Sequence, residues 1–485
     1  MIDFDLIKGR IQKHTLSSII HNTLELLNEV QRRDDKSYPI WNLLTLIKWS
    51  YIHTTDSILR SPIKEHEYHQ LLKLIREFET KYSGISFKNR TQVNKSFKII
   101  ANQQFPLQDK FHTSILSRQM VLYLQLRSRF DIDKEFERLT GIKLKSFLEY
   151  SYFTFFFFNL EMVKPDIKYN GNLFESYFTL FKSKWGNGEL EKYLNLLTLK
   201  SRNDFENLQK LNNEVLQLYE TNFFTLKPLI LFRNQYRIPN KKIFTQTIKH
   251  FIYNYLKENS PEFPEEFGSR LNKYVELGLI ENKIYFENDT VLKAKYPEGK
   301  LADFLIESDI LVEVKAIELN PRAGVLRTND ILVKDLDNSI IKAYTQLLAT
   351  AFKINPNQEY YGIIITYKEM YLGFGADTWN EFMKEPIETF CLQYSLDINI
   401  LPPQNLCFIT IENWDYMMQA IKEGKATLKE ILLKGKELNA LDNPVESIML
   451  MEQALNKHFQ PSEISISYLK DNYRNLDILP KKNEL

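Results

Sequence analysis

The chain has 485 residues, 44% of them apolar and 26% charged, which is ordinary for a soluble globular protein and suggests roughly two to four domains. Its 63 basic and 62 acidic residues leave a net charge of +1. That balance excludes a global basic field, so any nucleic-acid contact must come from local patches. Cys391 and Cys407 form no CxxC pair, which fits neither a disulfide framework nor a zinc knuckle and suits a reducing cytoplasm. The opening MIDFDLIKGR lacks the basic and apolar regions of a signal peptide. The apolar-aromatic run over residues 152–158 is too short to span a bilayer. A cytoplasmic protein with no membrane partner is expected.

Residues 1–235 read as helical. Leu16, Ile19, Ile20, Leu24, Leu27 and Val30 follow helical spacing, and Pro39 opens a second segment through Trp41, Leu44, Ile47 and Tyr51. The run SYFTFFFFNL over residues 151–160 reads as buried core rather than a partner surface. Two stretches lack acids. Residues 81–108 carry Lys81, Lys88, Arg90, Lys95 and Lys98. Residues 221–257 carry Lys227, Arg233, Arg237, Lys241, Lys242, Lys249 and Lys257, interleaved with Phe223, Phe224, Phe232, Tyr236 and Tyr253. Such a mixture can hold a phosphate backbone and stack bases, or it can be a solvated helix face over an apolar stripe.

After a boundary at Arg237-Ile238-Pro239-Asn240 the pattern changes. Pro264 starts a predicted helix to about Leu279, residues 283–287 read as a strand, and Asn288-Asp289 as its turn. Asn338 is the expected cap of a helix through Tyr344, Leu347, Leu348 and Phe352. YYGIIIT at 360–366 and LCFITI at 406–411 read as buried strands, and helices are expected over residues 414–421, 428–434 and 448–459. The order is that of an α/β or α+β sheet domain.

The chemistry-bearing stretch is ADFLIESDILVEVKAI, residues 302–317. Strand interiors exclude charges unless they are paired or bind a metal, yet Asp303, Glu313 and Lys315 stand in β-forming apolar sequence. An antiparallel hairpin with the three-residue loop Glu307-Ser308-Asp309 pairs Ile306 with Ile310 and brings Asp303 opposite Glu313, with Lys315 on the same face as Glu313. A two-residue loop would separate them. Two carboxylates suit Mg²⁺, and a lysine beside them can orient water and balance charge on a phosphorane-like transition state. The same three residues could instead be a buried ion pair.

On Asp303 and Glu313-Val314-Lys315 the chain resembles the PD-(D/E)xK nuclease superfamily, over about residues 264–412. The resemblance implies a restriction-endonuclease-like α/β domain with a mixed central sheet, Asp303 and Glu313 as ligands of Mg²⁺ (Mn²⁺ a possible substitute), and Lys315 acting on water. Gln346, in KAYTQLL, matches a glutamine that many members carry on the following helix. A preceding G-x-x-F-E-x-x-V helix motif is matched in frame by residues 268–275, but Asn272 replaces the acid, leaving Glu265, Glu266 or Glu276 to compensate.

The expected organisation is a large all-α sensing, binding or oligomerisation domain at 1–238, the nuclease-like domain at 239–440 and a helical tail at 441–485. The expected function is a metal-dependent endonuclease on nucleic acid, DNA before RNA. It resembles prokaryotic antiphage or antiplasmid effectors, with a homo-oligomer or a partner defence subunit as further partners. The alternative is a catalytically decayed module that binds nucleic acid or a partner subunit.

Overall fold

The computed structural model describes residues 3–33, 37–82, 90–108, 111–126, 128–163, 187–297, 299–443, 446–462, 464–470 and 472–476. Among them no helix is long and apolar enough to cross a membrane.

The first half is mainly helical, with Phe4–Gln12, Leu16–Arg33, Ile40–His53, Glu65–Tyr82 and Arg90–Gln104 leading. It is not all-α. Strands β1 (Thr198–Leu199), β2 (Leu229–Phe232) and β3 (Gln235–Arg237) form a small sheet, β1 parallel to β2 and β2 antiparallel to β3. Arg233 and Asn234 close the β2–β3 hairpin in left-handed conformations, φ 50° and 59°. A tight turn of this kind carries no glycine signal here, so the hairpin is hidden among the basic residues. The run at 151–160 belongs to the helix Leu144–Val163; Phe153 is core, while the side chains of residues 156–160 lie outside the described residues.

The second sheet has the order β4 (Phe286–Asn288), β5 (Phe304–Ile306), β6 (Ile310–Lys315), β7 (Tyr361–Thr366) and β8 (Leu406–Thr410). The pairs β4–β5 and β5–β6 are antiparallel; β6–β7 and β7–β8 are parallel. A helix, Phe263–Glu281, precedes β4, and another, Lys342–Ile354, lies between β6 and β7. Several boundaries differ from expectation: the strand expected over 283–287 is Phe286–Asn288. Asn288 is not a turn but the cap of a helix Asp289–Lys295, its side chain accepting the Val291 N–H. Asn338 caps nothing: helix Asn329–Leu336 runs through a π-helical segment, Asp337–Ile341, into Lys342–Ile354.

Side chains alternate across the second sheet. Ile310, Val312, Val314, Ile363, Ile365, Cys407 and Ile409 face one core, and Leu311, Ile364, Leu406 and Phe408 face another, which the helix Lys342–Ile354 covers. The first of these cores also contains Ile115, Leu116, Phe147 and Leu148, so packing runs continuously across residue 238. Met451, Leu455, Ile466 and Leu469 join it from the C-terminal region. A third core joins the N-terminal helices to β1 and β2 and takes in Ile243 and Val325.

Candidate active site

Strand β6 is apolar but for Glu313 and Lys315, and it lies at the centre of the sheet; Glu313 is carried inside at 1% exposure. The loop 307–309 turns with Glu307 and Ser308 left-handed, at φ 49° and 75°. The ladder runs Ile306–Ile310, Leu305–Leu311, Phe304–Val312. One step further, Asp303 stands opposite Glu313, the register that a three-residue loop requires. Asp303 Oδ2 accepts the Val314 backbone N–H at 2.8 Å, holding the carboxylate against β6.

Lys315 and Gln346 converge on Glu313. Lys315 Nζ lies 2.5 Å, and Gln346 Nε2 2.9 Å, from the same oxygen, Oε1. Gln346 reaches inward from the helix Lys342–Ile354, which is tied to the Asp303 segment by the Ala302 N–H donating to Thr350 Oγ1 at 2.8 Å. The second oxygen, Glu313 Oε2, is buried with no hydrogen-bond partner.

Asn272, on the helix Phe263–Glu281, donates from Nδ2 to Asp303 Oδ1 at 3.1 Å; its own Oδ1 is buried and unpartnered. That helix is firmly placed. Arg270 donates to the carbonyls of Leu122, Tyr123 and Phe130, Tyr274 donates to Asp415, and a Cβ on Gly278 would meet Met418 and Trp414 below 3 Å. The acids considered as substitutes for the missing helix glutamate have other surroundings. Glu266 is paired with Arg270 at 2.7 Å, Glu276 accepts from Asn288, and Glu265 is exposed.

Burial pushes the Glu313 carboxyl up to about 8, the facing Asp303 charge adds to this, and Lys315 opposes it. Burial also raises Asp303, against the Val314 N–H, Lys315 and the Asn272 amide. A buried acceptor without a donor costs about 1–3 kcal/mol, more when charged. Glu313 Oε2 and Asn272 Oδ1 are two such atoms, on the two residues that flank Asp303, and a cation shared with either would be stabilising. Two carboxylates and one amide oxygen, with water completing the shell, fit Mg²⁺ or Mn²⁺. Among the described residues no group of three or more His, Cys, Asp or Glu could hold a metal ion.

The basic stretches turn out differently from a stacking platform. Phe223, Phe224, Phe232 and Tyr253 are buried in the cores, and Lys249 and Lys257 are paired with Glu412 and Glu318. Lys98 is buried against Glu381. Lys88 lies outside the described residues, as does the side chain of Arg90.

No protein-family model, no curated protein and no solved structure matches this chain.

Proposed function

We propose that the chain is a cytoplasmic, Mg²⁺-dependent nuclease of the PD-(D/E)xK type that hydrolyses phosphodiester bonds in nucleic acid, DNA before RNA. One observation carries this reading: Asp303 and Glu313 oppose each other across β5 and β6, with Lys315 and Gln346 on one Glu313 oxygen and the other left buried and free. The mixed sheet, with one helix before β4 and another between β6 and β7, supports the reading.

Asp303, Glu313 and the Asn272 amide would hold the cation, which when bound supplies Lewis-acid stabilisation of charge building on the phosphoryl oxygens. Gln346 fixes the Glu313 carboxylate so that its free oxygen stays available. The Val314 N–H and Asn272 do the same for Asp303. Lys315 brings an ammonium into the same space, where it orients the attacking water and offsets the added negative charge of the pentacoordinate phosphorus as the P–O bond breaks. An antiphage or antiplasmid role, with a trigger read by the N-terminal helices, is part of the same proposal.

Asn272 favours a second reading, a decayed module that binds nucleic acid or a partner subunit without cutting. Incubation with duplex and single-stranded DNA and RNA, with Mg²⁺, Mn²⁺ or EDTA, separates the two. Metal-dependent cleavage that disappears in Lys315→Ala supports the nuclease; cleavage absent in every arm favours the binding module.

A further inference from the structure

Over residues 316–320, just beyond β6, the chain has no regular structure, and three residues past Lys315 it carries Glu318. This carboxylate is held between two lysines from different elements. Lys257 Nζ, at the end of the helix Lys241–Asn259, lies 2.6 Å from Oε1, and Lys368 Nζ, just beyond β7, contacts Oε2. Lys368 also donates to Asn254. Both ammoniums lie over the ring of Tyr253, 5.8 and 5.1 Å from its centroid. The Tyr253 hydroxyl donates to the Ala316 carbonyl at 2.9 Å, tying the cluster to the residue after Lys315. The other side is tied equally closely, because Thr366 pairs with Lys315 and Lys368 follows two residues later.

Two cations, one from the end of a helix and one from the bend after β7, thus converge on one anion from an irregular segment, and the anion presents one oxygen to each. A phosphodiester group presents its two non-bridging oxygens in the same way. The cluster is reachable: the Glu318 and Lys257 side chains are 34% and 36% exposed. Three residues span at most about 11 Å, so the Glu318 Cα lies within about three nucleotide rises of 3.4 Å from the Lys315 Cα. Glu258 is the other acid that acts on Lys368.

We propose that Lys257 and Lys368, the latter steadied by Asn254, form a binding site for a backbone phosphate of a nucleic-acid strand, and that Glu318 occupies this site in the free protein as an internal substitute for the phosphate. Nucleic acid then binds by displacing Glu318, which swings out with its loop. The site rests on the nucleic-acid partner proposed above, but not on cleavage.

The test is fluorescence anisotropy of labelled single-stranded DNA and RNA oligonucleotides at several salt concentrations, in EDTA so that nothing is cut. Glu318→Gln keeps the shape of the side chain and removes its charge; it is expected to bind several-fold more tightly than wild type. Lys257→Gln and Lys368→Gln are expected to bind more weakly, each lowering the slope of log K against log salt by about 0.7. Lys368 is mostly buried and its variant can fail to fold; Lys257→Gln then carries the test, with thermal melting as the folding control. Folded Glu318→Gln and Lys257→Gln proteins that bind with wild-type affinity and slope overturn the proposal, as does weaker binding by Glu318→Gln. The two proposals fail separately. Tighter binding by Glu318→Gln without Mg²⁺-dependent cleavage by wild type keeps this site and removes the nuclease. Cleavage with unchanged binding in the variants does the reverse.

Discussion

Asp303 accepts the backbone N–H of Val314, the residue that follows Glu313, at 2.8 Å. A side chain thereby replaces a ladder carbonyl at the point where the β5–β6 pairing ends. The two acids are held face to face by the sheet itself, before any ligand arrives.

Removing one of the two charges should therefore abolish chemistry without unfolding the sheet. Asp303→Asn keeps an oxygen acceptor for the Val314 N–H. Its expected result is cleavage reduced by at least about 100-fold, the scale of losing one electrostatic contact to the transition state, with an unchanged circular dichroism spectrum. Residual cleavage above a tenth of wild type would remove Asp303 from the metal set.

Lys315→Ala separates cation binding from catalysis. Lys315 touches Glu313 Oε1, whereas Oε2 is the free oxygen. Cleavage should fall by about 10²–10⁴-fold, while stabilisation by added Mg²⁺, read as a shift in melting temperature, should persist. Loss of that shift together with activity would mean that Lys315 only keeps the site folded.

The pH dependence has a definite sign. The Glu313 carboxyl titrates near 8 in the folded chain against an ordinary 4.5, so between those values the folded state holds a proton that the unfolded chain has released. Its contribution is fully present below about pH 4.5 and is lost as pH rises to 8. In EDTA the melting temperature should fall between pH 5 and 8, and Glu313→Gln should flatten that fall. Because a cation displaces the proton, Mg²⁺ should raise the melting temperature more at pH 8 than at pH 6. A Mg²⁺ shift independent of pH would count against Glu313 as a ligand.

Asn272 is expected to tune affinity for the cation. Asn272→Leu removes both the donor to Asp303 and the unpartnered buried oxygen, and should weaken Mn²⁺ binding, measured by calorimetry, by roughly ten-fold, about the 1.4 kcal/mol of one good polar contact. Asn272→Asp adds a negative charge and should tighten it. Equal affinities across the three proteins would confine Asn272 to packing.

A buried triad joins the halves of the chain elsewhere. Glu381 accepts from Lys98 at 2.6 Å and from Arg327 at 2.9 Å; its two cations, with burial opposing them, hold its carboxyl at about 2. Glu381→Ala leaves two buried cations uncompensated and should cost about 3–5 kcal/mol in urea denaturation. A loss below 1 kcal/mol would show that water reaches Lys98.

The strands around β6 could be read from the sequence because apolar runs and a fixed side-chain period mark them, whereas the helices Asp289–Lys295, Pro321–Leu326 and Lys384–Tyr394 between them carry no such clear period. The Asp303–Glu313 pairing was legible for a simpler reason: an odd loop admits one register. The β2–β3 hairpin was not legible, because Arg233 and Asn234 make its turn without glycine or proline. The aromatics over residues 221–257 misled because composition does not say which side faces water; Phe224 and Tyr253 face inward. The bond from Asn272 to Asp303 joins residues 31 positions apart and depends on tertiary packing alone. The same holds for Glu318, whose two lysines come from helix and strand exits far apart in the chain.

The continuous core around the second sheet bears on how this chain can be divided. Phe147 stacks on Phe251 at 5.0 Å, Tyr123 on Phe267 at 5.7 Å, and Arg118 meets Asp415 at 2.7 Å. A fragment beginning at residue 239 would expose these aromatic faces, strand Asp415 without its cation and deprive Arg270 of three carbonyls. The two halves are therefore not interchangeable modules: a graft of the sheet onto another helical region would have to bring the helices around Arg118 with it.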